Sequence, residues 1–236
     1  PPTGVFAPSV GALRAVAFGN GKFVAVASSG PDGAIVSTDG KAWSPAGLKA
    51  GDWRDIAFGA GRFVAAASSG EIVSSSTGTD PWLLGSNTDA VTVSGWSYVL
   101  YCPVDSVFGE FGTFQAFAYG GYVASSRDGM TWILNKSRGP GGFSSRPACG
   151  TDKFVYIDED GSVWHSRDGI EWLTVSSFWG GVRRHGVSFV AGKFVTFNPN
   201  GTSSYSKDGV TWTSTNSPYH MADARALSAG TWVSAL

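Results

Sequence analysis

Short runs of apolar and β-branched residues, about four to six long, alternate with turn residues along the chain. The first such unit reads as four strands, at residues 13–18, 22–27, 34–37 and 41–44. Gly19-Asn20-Gly21 separates the first two runs, and Asp39-Gly40 separates the last two. Asp-Gly between two β-rich runs is a strong hairpin signal, because Gly accepts positive φ without steric cost.

This unit repeats. Gly21-Lys22-Phe23-Val24-Ala25 returns as Gly61-Arg62-Phe63-Val64-Ala65, an offset of 40. Asp152-Lys153-Phe154-Val155 and Gly192-Lys193-Phe194-Val195 form a second pair with the same offset. Weaker copies at Tyr98-Val99 and Trp232-Val233 bring the aromatic anchors to six: Phe23, Phe63, Tyr98, Phe154, Phe194 and Trp232. A second motif follows four anchors in clear form: Ser37, Asp39, Gly40, Trp43; Ser126, Asp128, Gly129, Trp132; Ser166, Asp168, Gly169, Trp172; and Ser206, Asp208, Gly209, Trp212. A degraded copy runs from Ser76 to Trp82. In each, the Asp is expected to accept bonds from backbone N–H groups of the turn, and the Trp to fill the layer between sheets. A repeat of about 40 residues with four strands is the signature of a propeller blade.

The expected fold is therefore all-β: a six-bladed β-propeller of four-stranded antiparallel blades, forming one domain over residues 1–236. The blades fall near 13–47, 53–87, 90–135, 146–175 and 185–215, with the last made of 224–236 plus 4–10. Only two strands fit after residue 224, so the N-terminal segment around Val5-Phe6 is expected to supply an outer strand and close the ring. Five or seven blades fit the anchors less well. Blade three carries extra residues, assigned to its second-to-third-strand connection around Cys102–Thr113 as an extended hairpin or a contact loop.

The second motif resembles the Asp-box (BNR) repeat of sialidase-type propellers, with one residue fewer between Asp and Gly. The shorter form, preceded by Val16-Ala17-Phe18-Gly19-Asn20-Gly21-Lys22-Phe23-Val24, is similar to repeats in bacteriophage virion and tail proteins and in bacterial surface proteins. The resemblance implies a structural turn at the outer edge of each blade. It also implies a virion or extracellular location. The catalytic set of the sialidases is not matched: no Arg accompanies Val5-Phe6-Ala7-Pro8, and no Glu sits in a Tyr motif, so no catalytic residue is assigned.

Composition adds little chemistry. The chain has 33 Gly, 10 Trp and 15 Phe, and charged residues make up 15%, which suits many short strands and tight turns. A net charge of -1 without a basic run gives no footprint for nucleic acid, and no apolar run is long enough for a membrane helix. The first residue is not Met, which fits a processed chain or one cut from a longer polypeptide, and membership of a larger chain or oligomer is left open. Cys102 and Cys149 read as two buried small residues, with a single bridge as the alternative. No metal spacing links His165, His185 and His220, and no cofactor is expected. Asp158-Glu159-Asp160 reads as a solvated acidic turn, with a cation site as the alternative.

One constellation points to a ligand. Arg14, Arg54, Arg146, Arg184 with His185, and Arg225 all fall where an innermost strand begins. There they are expected to meet at the channel mouth, where guanidinium groups suit carboxylates or phosphates. The alternative is local pairing with Asp52 or Asp55. Trp179 and His220, in loops leading into the last two blades, are expected beside them; an exposed Trp beside Arg suits a sugar ring or a protein interface. The expected function is a non-enzymatic binding or assembly module that recognises a surface glycan or docks another virion protein. A sialidase-like hydrolase of acidic glycans is the alternative.

Overall fold

The computed structural model describes residues 10–87, 93–103, 112–158, 160–175, 186–197, 202–216, 227–228 and 231–232. They divide between two compact units, Pro1–Pro103 with Glu110–Lys136 and Val104–Gly109 with Ser137–Leu236.

The first unit holds three antiparallel sheets of four strands each. Sheet one is Leu13–Gly19, Lys22–Ala27, Ala34–Ser37 and Ser44–Pro45, in that order. Sheet two is Trp53–Gly59, Arg62–Ala67, Ile72–Ser75 and Leu83–Leu84. Sheet three is Trp96–Cys102, Thr113–Ala118, Tyr122–Ser126 and Thr131–Lys136, with Ser86–Asn87 added in parallel at its outer edge. The second unit repeats the plan. Sheet four is Ala148–Cys149, Phe154–Ile157, Val163–Ser166 and Leu173–Val175; sheet five is Ser188–Val190, Lys193–Phe197, Thr202–Ser206 and Thr213–Asn216. Leu227–Ser228 and Thr231–Trp232 form a two-stranded hairpin. The N-terminal segment expected to close the last blade lies outside the described residues.

The sheets stack face to face. Val24, Val26 and Ala34 of sheet one pack on Ile56, Phe63 and Ala65 of sheet two. Val64 and Ala66 of sheet two pack on Val99, Phe114 and Ala116 of sheet three. In the second unit Val155 and Ile157 of sheet four meet Phe194 and Trp212 of sheet five. Alternate residues of each second strand thus face opposite neighbours, and both faces are apolar because both are covered.

The anchor aromatics pair with aromatics at the end of the first strand. Ring centroids lie 4.6 Å apart for Phe18–Phe23, 4.7 Å for Phe58–Phe63, and 4.8 Å for both Tyr101–Phe114 and Phe189–Phe194. This corrects the third anchor: it is Phe114, not Tyr98. Tyr98-Val99 has the right residue types but lies on the first strand of its sheet, and Tyr101 is the residue opposite Phe114. The extra residues of blade three therefore join its first and second strands, and most of them, 104–111, lie outside the described residues.

Three first hairpins turn through matching residues. The φ values are 48° and 72° at Asn20-Gly21, 46° and 73° at Ala60-Gly61, and 49° and 75° at Ala191-Gly192. Two consecutive positive φ values fit the right-handed strand twist, and Asn tolerates them where Ala does not. Asn20 also donates Nδ2 to the carbonyls of Gly61 (3.3 Å) and Ser76 (3.1 Å). Ala60→Asn is expected to raise stability by roughly 0.5–1 kcal/mol, read as a higher urea midpoint at constant m-value. An unchanged or lower midpoint would mean the turn carries no such strain.

Candidate functional site

The Asp-box motif builds the same turn four times. Ser37 Oγ donates to Asp39 Oδ1 (3.0 Å) and accepts from Gly40 N (2.9 Å). Asp39 Oδ1 then accepts from the N–H groups of Lys41 (2.8 Å) and Ala42 (2.9 Å). Asp128, Asp168 and Asp208 repeat both backbone bonds at 2.7–2.9 Å. The Trp closes the turn by donating Nε1 to the glycine carbonyl, from Trp43 to Gly40 (3.3 Å), Trp172 to Gly169 (2.8 Å) and Trp212 to Gly209 (3.2 Å). Sheet two has a variant one residue earlier than the sequence suggested. There Ser75 takes the serine role, accepting from Gly78 N (3.1 Å), and Thr77 replaces the Asp.

These turns also explain why the two motifs recur together. The motif glycine has φ near +70° and sits against the preceding sheet. A β-carbon on Gly78 would lie 2.7 Å from Val24; on Gly129, 2.8 Å from Val64; on Gly209, 2.5 Å from Val155. Val24, Val64 and Val155, each following an anchor Phe, are thus the seats for these three turns. The preceding cation also reaches over it: Lys22 donates Nζ to Thr77 O (3.4 Å), and the stem of Arg62 flanks Gly129.

The turn favours the ionised carboxylate at Asp39, Asp128 and Asp208. N–H bonds from Lys41 and Ala42 lower the Asp39 pKa, with Ser37 adding to the effect. Burial opposes the shift at Asp128 and Asp208, yet the backbone N–H groups and the serine outweigh it and both pKa values fall. A carboxyl whose folded pKa lies below its unfolded value stabilises the fold fully above the unfolded value, about 3.9. That contribution fades as pH drops toward the folded value. Melting temperature is therefore expected to fall steeply below about pH 4. A triple variant Asp39→Asn, Asp128→Asn, Asp208→Asn should show a shallower decline between pH 5 and pH 2. Parallel curves for variant and wild type would remove these turns as the acid-labile element.

Of the predicted ligand residues, Arg14 and Arg54 occupy matching places. Each sits at a β-bulge in the first strand, between Leu13 and Ala15 and between Trp53 and Asp55, and both are exposed. Ser97 holds the same bulge in sheet three. A bulge re-aims its side chain, which places both arginines at the end where the first strand begins. Arg54 is paired locally: Nη2 lies 2.6 Å from Asp52 Oδ2, which also accepts from Ser68 Oγ at 2.6 Å. That exposed pair adds little stability but occupies the guanidinium. Local pairing with Asp52, one of the two readings of these arginines, is the one found at this position. Arg14 has no ion pair among the described residues. Arg146 is exposed in the second unit, just before Ala148–Cys149. Arg184, His185, Arg225, Trp179 and His220 lie outside the described residues.

Asp55 faces inward. It is buried, and it accepts from the N–H of Ile56 (2.9 Å) and from that of Val99 in sheet three (3.0 Å). It binds one sheet to the next instead of pairing with Arg54. At the corresponding end of sheet three stands Tyr119, 70% exposed, in the turn after the second strand. Its N–H donates to Gly95 O (2.9 Å), which fixes the backbone and leaves the ring outside. Sequence reasoning passed over Tyr119; its only signal was an aromatic residue before Gly120-Gly121.

The other polar groups read as structure. Tyr156 is fully buried and donates to Asp158 Oδ1 (3.0 Å), while Ser144 Oγ also donates to that oxygen (3.0 Å). Burial raises the Tyr156 pKa strongly, the opposite of what a phenolate nucleophile needs. Asp160 Oδ1 accepts from Ser162 N (2.8 Å), so the acidic turn bonds to itself, and no group of three or more metal-ligating side chains occurs among the described residues. Burial, then Lys153 and Arg167, lower the pKa of His165. In a cleft lined by Lys22, Ser37, Thr38, Ser44 and Thr79, the polar groups of Lys22, Ser37 and Thr79 already bond within the protein. Cys102 and Cys149 are both disulfide-bonded, which corrects the reading of two buried thiols.

No protein-family model matches the chain, and no curated protein matches it in sequence. Solved structures do match. YCF48 bound to D1 peptide aligns at 12% identity over 89% of this chain and 70% of that one, with a TM-score of 0.67. Virginiamycin B lyase from Staphylococcus aureus aligns at 7% identity over 89% and 72%, TM-score 0.65. The WD40 β-propeller domain of Doa1 aligns at 10% identity over 87% and 69%, TM-score 0.61. The chain has a β-propeller fold, and likeness at these identities speaks to fold alone.

Proposed function

We propose that this chain is a six-bladed, non-enzymatic binding module displayed on a phage virion, in the tail or another host-facing appendage, where it recognises an acidic cell-surface glycan. The observation that carries the reading is that exposed Arg14 and exposed Tyr119 stand at corresponding ends of sheets one and three in one unit. A cation suits the acidic group, and an open phenol face suits the apolar side of a sugar ring. The virion assignment rests on the style of the repeat.

Ring closure by a sixth blade, with residues 4–10 as its outer strand, belongs to the same proposal. It is supported by the first strand of sheet one, where Val16 is 47% exposed although Ile56 and Val99 at matching positions are buried. Phe18 is 57% exposed beside it. Such a face calls for a neighbouring sheet. Disulfide-bonded cysteines favour an oxidising, extracellular setting.

A glycan array tests the function. Wild-type protein is expected to bind acidic glycans without releasing product, and Arg14→Ala or Tyr119→Ala to weaken binding about tenfold each, about 1.4 kcal/mol, with melting temperature held. Release of sugar from a fluorogenic acidic glycoside would replace this reading with hydrolysis. The second reading, docking of another virion protein, is favoured by the same exposed Tyr119 and Arg14, residue types that anchor protein interfaces. A blank array together with co-sedimentation on partner virion proteins would select it.

A further inference from the structure

The turn between the first two strands of sheet one carries chemistry that its counterparts lack. It passes through Asn20-Gly21, whereas the matching turns of sheets two and five pass through Ala60-Gly61 and Ala191-Gly192. Among the described residues Asn-Gly occurs only here. Asn is a thermolabile residue, and a following glycine leaves the backbone nitrogen least hindered for attack on the side-chain amide. Gly21 and Asn20 are both exposed, and a β-carbon on Gly21 would find nothing within 4 Å. Gly21 N also takes no part in the strand ladder, whose last pair is Gly19 with Lys22.

The same amide is a staple between sheets. Asn20 Nδ2 donates to Gly61 O (3.3 Å) and to Ser76 O (3.1 Å), in two different turns of sheet two. An NH2 group offers two protons, one for each carbonyl. A carboxylate in its place offers none and sets a negative charge against two carbonyl oxygens. Asn20, Gly61 and Ser76 are all exposed, so these bonds open locally more readily than the buried ladder does.

We propose that Asn20-Gly21 is a site of spontaneous deamidation, and that the reaction unpins sheet one from sheet two at this corner. Gly21 N attacks Cγ of Asn20 and gives up its proton. The Cγ–Nδ2 bond breaks, nitrogen leaves as ammonia, and a cyclic succinimide remains. Solvent water then opens the ring. Cutting the new N–Cγ bond gives aspartate; cutting the original peptide bond gives isoaspartate, with the main chain rerouted through Cβ. Nothing is oxidised or reduced. Either product has lost both donors and gained a charge, and the Ala60 and Ala191 turns cannot follow it.

The full chain, aged in mildly alkaline buffer and digested with trypsin, tests the chemistry. Cleavage after Arg14 and Lys22 isolates Asn20 in the peptide 15–22. That peptide is expected to carry O in place of NH, as a mixture of aspartate and isoaspartate forms. Aspartate alone would overturn the route, because direct hydrolysis does not pass through Gly21. A peptide left unchanged in the native chain, whether or not it converts in urea, would overturn the site. The staple has its own test. Asn20→Asp is expected to lower the melting temperature by about 2–4 °C, since Asp accepts left-handed backbone as Asn does and the donors alone are lost. Aged protein, separated from the native form by its added negative charge, is expected to melt lower as well, which keeps the test open if Asn20→Asp does not fold. An Asn20→Asp or aged chain that melts like wild type would show that the amide pins nothing.

Discussion

Trp172→Ala is expected to cost about 3–5 kcal/mol of folding stability, the range typical of truncating a buried Trp to Ala. Trp172 is 4% exposed and lies between Phe143 (5.5 Å between centroids) and Tyr156 (6.2 Å). Its Nε1 donates to Gly169 O, and its backbone N–H donates to Arg138 O. Removing the indole opens a cavity that the turn cannot fill, because Ser166 and Asp168 hold that turn by their own bonds. Arg138→Ala is the control. Its ion pair with Glu171 joins side chains 78% and 64% exposed, so its loss should stay within about 0.5 kcal/mol. Urea unfolding at constant m-value measures both. A Trp172→Ala loss below about 1 kcal/mol would mean the ring is not a packing element.

How much of this was legible in sequence differs by element. The second strands Lys22–Ala27 and Arg62–Ala67, and the four Asp boxes, were readable because their signals are local: an aromatic-Val pair after a turn, and Asp-Gly before Trp. The third sheet was misread because Tyr98 and Phe114 both satisfy a type-based pattern, while only Phe114 faces an aromatic across its hairpin. Trp53 and Trp96, both buried at the start of a first strand, were not recognised as a set. Their fixing bonds, from Trp53 Nε1 to Lys49 O and from Trp96 Nε1 to Gly70 O, run to loops of unrelated sequence. At the candidate site, the repeat put Arg14 and Arg54 at strand starts, where both stand, but carried no sign of the matched bulges that hold them. The Asp52 partner of Arg54, two residues away, was a weighed alternative, and distance alone decided it. Asp55 to Val99 N could not be anticipated, since nothing in a single chain marks which backbone group the next sheet will offer.

Gly59→Ala is the second large effect, and it isolates space from backbone conformation. Gly59 ends the first strand of sheet two and is not among the glycines with positive φ, so alanine meets no backbone strain there. What forbids it is the next sheet: a β-carbon would lie 2.0 Å from Tyr101 Cγ, at the root of the ring. Gly19 stands in the same relation to Phe58 of sheet two, at 2.1 Å, so the arrangement is a rule of stacking and not an accident of one site. Tyr101 cannot yield easily, because its ring rests on Phe114, which is fully buried. Overpacking of this kind typically costs about 1–3 kcal/mol. Tyr101→Ala alone should also destabilise, through lost burial and the lost contact with Phe114. Combined, the two changes should cost less than their sum by about 1 kcal/mol or more, because the new methyl enters space the ring has left. Strict additivity in urea unfolding would show that sheets two and three do not meet at this pair. A Gly59→Ala variant as stable as wild type would show that the aromatic-on-glycine contact does not set the spacing between sheets.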